Sequence, residues 1–298
     1  MIDRDSYRRN EVASMSTEKI AVVTDSCSDV PLNIAEKYDI RILPVHIIYP
    51  EQDYLDGVTI QANMVYSRFP DEIPNTSMPS LTEAQEFFEG LAAEGFTHVI
   101  AACISDHLSS TVNVMQVAAS EVPHLKTFIF HTKNISIGSG TFAIWAAMQV
   151  RKGRSYDDII EELERRRGDC RVGFCMDSLE YLYKGGRIGN VTYVIADVLR
   201  IKPIISCDPD GIYYTVAKKR GQRKAIRFLT DWIISLSMGR RCWIAVMHGD
   251  AAEEGHKVAL QLREALPEAR FVVHNEQINP SLAVNTGPGL IGVCIFML

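Results

Sequence analysis

Short apolar runs rich in β-branched residues recur along the chain, separated by stretches whose apolar residues return every three or four positions. The first pattern marks buried strands and the second amphipathic helices. Residues 20–24 form the first strand candidate, and the polar turn Asp25-Ser26-Cys27-Ser28-Asp29 follows it. Pro31, suited to the first turn of a helix, begins a helix predicted to reach Tyr38. A strand over 40–49, a short helix over 62–69 and a longer amphipathic helix over 81–94 come next, the last entered through the turn 75–80. A strand over 97–104 leads through Ser105-Asp106-His107-Leu108-Ser109-Ser110 into a helix over 111–122. A strand over 126–131 then leads through the small-residue turn 134–141 into another helix. Strands alternating with helices imply a mostly parallel sheet covered on both faces.

The charge density jumps over 151–169, RKGRSYDDIIEELERRRGD, which reads as a water-facing helix closing a first domain. Beyond it the pattern predicts a strand over 172–176 and a helix stopped by Gly185 and Gly186. A helix over 191–199 and a hairpin of strands 204–207 and 212–216 around Asp208-Pro209-Asp210-Gly211 follow. Helices over 225–236 and 253–266 and strands over 243–247, 270–275 and 290–297 complete the chain. The expected organisation is an extension over 1–18 without order, an N-terminal α/β domain over 19–169 and a C-terminal α/β domain over 170–298.

Composition narrows the function classes. The length of 298 residues accommodates two domains, since single cores stop growing at roughly 250 to 300 residues. A formal net charge of -6 argues against a nucleic-acid partner. Seven cysteines, scattered through apolar runs, suit a reducing cytoplasm, the expected location. Cys170 and Cys175 lack the second pair or histidine cluster that a zinc site needs, so no metal is expected. No apolar run reaches the roughly 18 to 20 residues of a membrane span, and the N-terminus lacks the apolar centre of a signal peptide.

Candidate chemistry concentrates in hydroxyl-rich turns, 24–29, 105–111 and 132–139, each following a predicted strand, together with 75–80. Any one of them is explained by a helix cap or an Asx-turn, and Asp25 with Asp29 as turn formers rather than metal ligands. Their recurrence points to a shared polar site at the carboxyl ends of a parallel sheet, where ligands collect. Ser105-Asp106-His107 invites a triad reading, but side chains of sequence neighbours rarely converge as nucleophile, base and orienter. The patterns GxSxG, HExxH and the Walker motif are missing from the sequence. The basic run 218–224 is either a solvated loop and helix start or a docking patch for an acidic partner.

Seven stretches, taken in order, carry a resemblance: TDSCSDVP at 24–31, TSMPS at 76–80, ISDHLSSTV at 104–112, SLEYLYKGGRIG at 178–189, IKPI at 201–204, KRGQRKAI at 219–226 and NTGPG at 285–289. Together they resemble the DegV family of bacterial fatty-acid-binding proteins, from about Lys19 to the C-terminus. The resemblance implies a two-domain DegV-like α/β fold, with a mostly parallel sheet in the N-terminal domain and a mixed sheet with helices in the C-terminal one. It implies a long-chain fatty acid held in a buried apolar tunnel, with no other cofactor. The carboxylate would be presented to a separate fatty acid kinase, so the chain itself is expected not to be an enzyme. By motif, Thr76 and Ser109 would hold the carboxylate, with Ser77 and Ser105 beside them, and Arg220 would lie near the kinase partner.

The sequence departs from the family pattern at the expected head-group site. SSGLSGT becomes SDHLSST, with His107 and Ser110 in place of glycines, TSQPS carries Met78 for glutamine, and Asn285 stands where histidine is common. Asparagine can donate to a carboxylate but carries no charge. His107 is the residue that could restore a cation. Two other readings stay open at this point: a hydrolase or acyl transferase using Ser109 or Ser105 with His107, and a lipid sensor without a kinase partner.

Overall fold

Two sheets face one another across a helix that is buried on nearly every side. The computed structural model describes residues 18–191 and 201–298. The extension expected over 1–18 and the helix expected over 191–199 lie, but for residues 18 and 191, outside them.

The first half runs β1 (Ile20–Asp25), α1 (Leu32–Tyr38), β2 (Ile40–Leu43), β3 (His46–Ile48), β4 (Asp53–Leu55), α2 (Ala62–Arg68) and β5 (Asn75–Ser77). It continues with α3 (Leu81–Ala93), β6 (His98–Cys103), α4 (Thr111–Ser120), β7 (Lys126–His131), α5 (Ile137–Arg151) and α6 (Tyr156–Arg166). Strands β2-β1-β6-β7 form an all-parallel sheet in that order. The apolar runs of the central strands β1 and β6 are buried on both faces, as their continuous Val, Ile and Ala pattern requires. Chain order reverses beside β1, which places a topological switch point between β1 and β6.

The second half runs β8 (Cys170–Cys175), α7 (Glu180–Lys184), β9 (Ile201–Cys207), β10 (Tyr213–Arg220), α8 (Gln222–Ser237) and β11 (Cys242–Gly249). After it come α9 (Ala252–Ala265), β12 (Arg270–Gln277), α10 (Pro280–Thr286) and β13 (Leu290–Met297). Its sheet has the order β10-β9-β8-β13-β11-β12 and is mixed: antiparallel except for the β11–β12 pair. The fold class expected from the resemblance is therefore the one observed, a parallel sheet N-terminally and a mixed sheet with helices C-terminally.

Helix α5 lies between the sheets, which explains its composition. It is apolar all round rather than striped, as a helix packed on two sides must be. Phe130 of β7, Phe142 of α5 and Phe296 of β13 make consecutive edge-on contacts, with centroids 5.2 and 5.4 Å apart, and carry the core from one sheet to the other. The small residues 138–140 belong to the first turns of this helix, not to a preceding loop. A side chain at Gly140 would strike the Ser28 carbonyl and Val30, so glycine is what lets the helix approach the turn after β1.

Three further expectations are revised. The strand over 40–49 is broken at Pro44, which has no N–H to give to a ladder. Its second part, β3, joins β4 and β5 in a separate antiparallel sheet, and this makes Asn75–Ser77 a strand rather than a turn. The charged helix over 151–169 is the end of α5, a break at Gly153 (φ +74°) and then α6, capped by the Ser155 hydroxyl, which accepts from the Asp158 amide. Its Tyr156, Ile159 and Leu163 are buried, so only one face meets water.

Candidate functional site

The turns leaving the carboxyl ends of the parallel strands converge on one pocket. Cys27 comes from the turn after β1, Val45 from that after β2, Ile104, Leu108 and Ser109 from that after β6, and Ile135 from that after β7. Thr76, Ser77 and Met78 of β5 and its exit close a second side. The far wall is C-terminal: Leu182 and Arg187 around α7, Tyr213 of β10, and Ser281, Leu282, Asn285 and Thr286 of α10. The space measures about 540 Å³ with its open mouth.

Polar groups gather at the mouth. The Ser109 hydroxyl pairs with the Thr111 hydroxyl at 2.9 Å and accepts from the Thr111 amide at 3.3 Å. The Thr76 hydroxyl makes no hydrogen bond among the described residues, so its donor is available to a ligand. Asn285 donates one amide proton to the Ser281 carbonyl at 2.9 Å. Arg187 gives one guanidinium N–H to the Gly185 carbonyl at 2.5 Å. Among the described residues lining the pocket, Arg187 is the only cation.

Below the mouth the walls turn apolar. Ile135, Tyr213, Leu282 and Thr286 border both this pocket and a second space, about 400 Å³ counted with its open side. That chamber is walled by Ile137 at the start of α5, Ile278 ahead of α10, Val172 and Phe174 of β8, Met247 of β11, and Leu290 and Gly292 of β13. A polar mouth beside an apolar chamber, with four wall residues in common, fits an amphiphile with one anionic end.

Helix α10 reaches this position because buried carboxylates of the first half hold its start. Asp29 accepts from the Asn279 amide at 2.7 Å and from the Ser136 hydroxyl. Asp56 accepts from the Ser281 amide at 2.9 Å and the Ser281 hydroxyl at 2.6 Å. Burial pushes the pKa of both above the ordinary carboxylate range, hydrogen bonds opposing it. Asp25 ties β1 to β6 by accepting from the Ile104 amide at 3.0 Å, while its other oxygen has no partner. Burial raises its pKa to about 6.

The Asp25 shift fixes the sign of a pH effect. The unfolded chain loses this proton near pH 3.9, roughly, and the folded chain near 6, so raising the pH through that window costs stability. Asp25→Asn is expected to match the wild type near pH 4 and to exceed it by about 2 to 3 kcal/mol near pH 7, in urea unfolding. A difference independent of pH would overturn this.

A family model described as "Uncharacterised protein, DegV family" matches residues 19–298. The chain belongs to the DegV family. A DegV domain-containing protein of Clostridium acetobutylicum is 39% identical over 281 residues, 94% of this chain and 99% of that one. Among solved structures, DegV of Bacillus subtilis, a fatty acid binding protein, superposes with TM-score 0.86 at 27% identity, covering 95% of this chain and 100% of that one. A stearic acid-binding protein from Eubacterium ventriosum gives TM-score 0.85 at 25% identity, covering 94% of this chain and 98% of that one.

The residues singled out through the DegV motifs divide in two. Thr76, Ser77, Ser109 and Asn285 line the mouth, and Met78 stands at its rim, 45% exposed. Ser105 and His107 do not. Ser105 is fully buried behind the wall, its hydroxyl accepting from the His107 amide at 3.2 Å and its carbonyl from the Leu108 and Ser109 amides. It shapes the turn that aims Ser109. His107 points to solvent, and no hydrogen bond among the described residues joins its ring to a serine. The DegV motif SLEYLYKGGRIG also contains Arg187, which sequence reading passed over. A lone cation following two glycines was the available signal. Helix α10 was missed as well, although Asn279-Pro280 at its start and Gly287 at its end are helix boundary residues. No helix of the described residues is long and apolar enough to cross a membrane.

Proposed function

We propose that the protein binds a long-chain fatty acid, with its tail in the apolar chamber and its carboxylate at the mouth. The observation that carries this reading is a polar mouth set against an apolar chamber, the two sharing the wall residues Ile135, Tyr213, Leu282 and Thr286, between which the acyl chain would pass, and the fatty-acid-binding relatives support it. Thr76 and Ser109 donate hydroxyls to the carboxylate, Ser77 and Asn285 flank it, and Arg187 supplies the positive charge that Asn285 lacks. His107 is left out of this set by its exposure. Burying about fifteen methylenes at roughly 0.8 kcal/mol each yields on the order of 12 kcal/mol gross, against about 0.3 to 2 for a carboxylate at a helix N-terminus. The tail therefore supplies affinity and the mouth orients the head group.

The exposed orientation of that mouth favours presentation of the carboxylate to a separate fatty acid kinase that forms acyl phosphate. The docking residue in this reading is Arg220, exposed at the end of edge strand β10 and followed by Arg223, Lys224 and Arg227 on α8. A serine-dependent hydrolase has less support, because the Ser109 hydroxyl is paired with Thr111 and not with a base.

Lipid extracted from the purified protein and identified by mass spectrometry tests the binding. Acyl phosphate formed with a fatty acid kinase and ATP, trapped as hydroxamate, tests the presentation. Ser109→Ala is expected to lower acyl phosphate per bound lipid by about tenfold while lipid content stays within about twofold. Arg220→Ala should lower turnover without changing lipid content. Ester hydrolysis abolished by Ser109→Ala, or lost lipid with unchanged phosphorylation per bound lipid, would sink the reading.

A further inference from the structure

Two glycines occupy interior positions of the C-terminal sheet, where a missing side chain weakens a strand, and they differ in what surrounds them. Gly173 of β8 is explained by packing: a Cβ there would run into Leu229 and Trp232 of α8. Gly292 of β13 has no such neighbour. A Cβ on it would meet Leu290, Phe174 and Met247 at 3.7, 3.8 and 3.9 Å, ordinary contact distances, and its φ is not in the left-handed region. Neither backbone conformation nor close approach demands glycine at this place.

Its position supplies the missing reason. Gly292 is the register partner of Phe174 on β8 and of Met247 on β11. All three line the apolar chamber, so the row Phe174–Gly292–Met247 crosses its sheet-side wall with a gap at the centre. A strand interior without a side chain, open to a ligand space, is where a ligand comes close to the backbone.

We propose that Gly292 is a specificity-determining residue: the gap above it is room for the acyl chain, and it sets how long a chain the chamber accepts. This rests on the fatty-acid reading of the pocket. The alternating pattern of β13 points the side chains of Leu290, Gly292 and Cys294 to one face. A side chain introduced at 292 would therefore enter the chamber between Phe174 and Met247 rather than the opposite face, which α8 and α9 cover. In a space packed at crystal density an added carbon displaces about one ligand carbon, so leucine, with four, should move the preferred chain down by about two to four carbons.

The test compares wild type, Gly292→Ala and Gly292→Leu, purified from the same host and stripped of lipid. Each is titrated with saturated fatty acids of twelve, fourteen, sixteen and eighteen carbons, and the lipid co-purified before stripping is profiled by mass spectrometry. Gly292→Leu is expected to lose at least about tenfold in affinity for the longest acid the wild type binds well, while keeping the shorter ones within about threefold. Gly292→Ala, whose Cβ fits without movement, should tilt the same way by a smaller factor, and it decides the matter if the leucine variant fails to fold. An unchanged chain-length profile in a folded variant overturns the proposal and leaves the fatty-acid reading intact. A wild type that binds none of the four acids overturns both.

Discussion

Leu282→Trp is expected to empty the protein of long-chain fatty acid while leaving it folded. Leu282 is one of four residues bordering both the mouth and the chamber, and it is only half-buried, so a larger ring can be accommodated at its outer side. An indole there closes the way between them. A ligand confined to the mouth keeps its contacts with Thr76, Ser109 and Arg187 but forfeits the methylenes beyond. Losing even ten of them removes about 8 kcal/mol of gross stabilisation, of which a fraction suffices for a loss of a hundredfold or more, about 2.7 kcal/mol. Leu282→Ala widens the same passage and should retain lipid. Lipid content after purification and affinity for palmitate separate the two variants. A folded Leu282→Trp protein with wild-type lipid content would show that the chain does not pass between these four residues.

The parts of the fold legible in the sequence were those whose pattern is set by local burial. Strands β1 and β6 are continuous apolar runs because both faces of their sheet are covered, and they were read within a residue or two; edge strand β7, where only Phe130 is fully buried, was read at its bounds. The three-residue strands β3, β4 and β5 leave no period to detect. They exist because Pro44 ends one ladder and Thr76 finds Ile47 across another. The site followed the same division. Thr76 and Ser109 were reached through motif, since hydroxyl-rich turns are ambiguous one at a time. Ser105 was expected beside Ser109 as a neighbour of the head group, but a side chain's direction in a turn depends on partners far along the chain: here the Asn134 carbonyl, which takes the Ser105 amide, and the Gly211 turn that covers its hydroxyl. Arg187 and α10 left boundary and motif signals in the sequence, but nothing local tied them to the site. Their meaning comes from facing a turn more than a hundred residues away.

That long-range closure is concentrated at Asp56, and Asp56→Ala is expected to cost about 3 to 4 kcal/mol of stability and most of the bound lipid. The carboxylate is buried at 2% exposure and holds both the amide and the hydroxyl of Ser281 in the first turn of α10. Two charge-assisted hydrogen bonds are worth about 1.5 to 3 kcal/mol each, and alanine strands both donors in a dry place, while removal of a buried carboxylate gives part of the loss back. A seven-residue helix has little hydrogen bonding of its own to resist release. It carries Leu282, Asn285 and Thr286, so its release opens the shared wall and the mouth together. Asp56→Asn keeps one acceptor for the Ser281 amide and ends the cost of burying charge, so it should lose less than half as much. Urea unfolding gives the stability change, and extracted lipid gives the occupancy. An alanine variant with wild-type stability and full lipid content would mean that α10 is held by its apolar contacts alone.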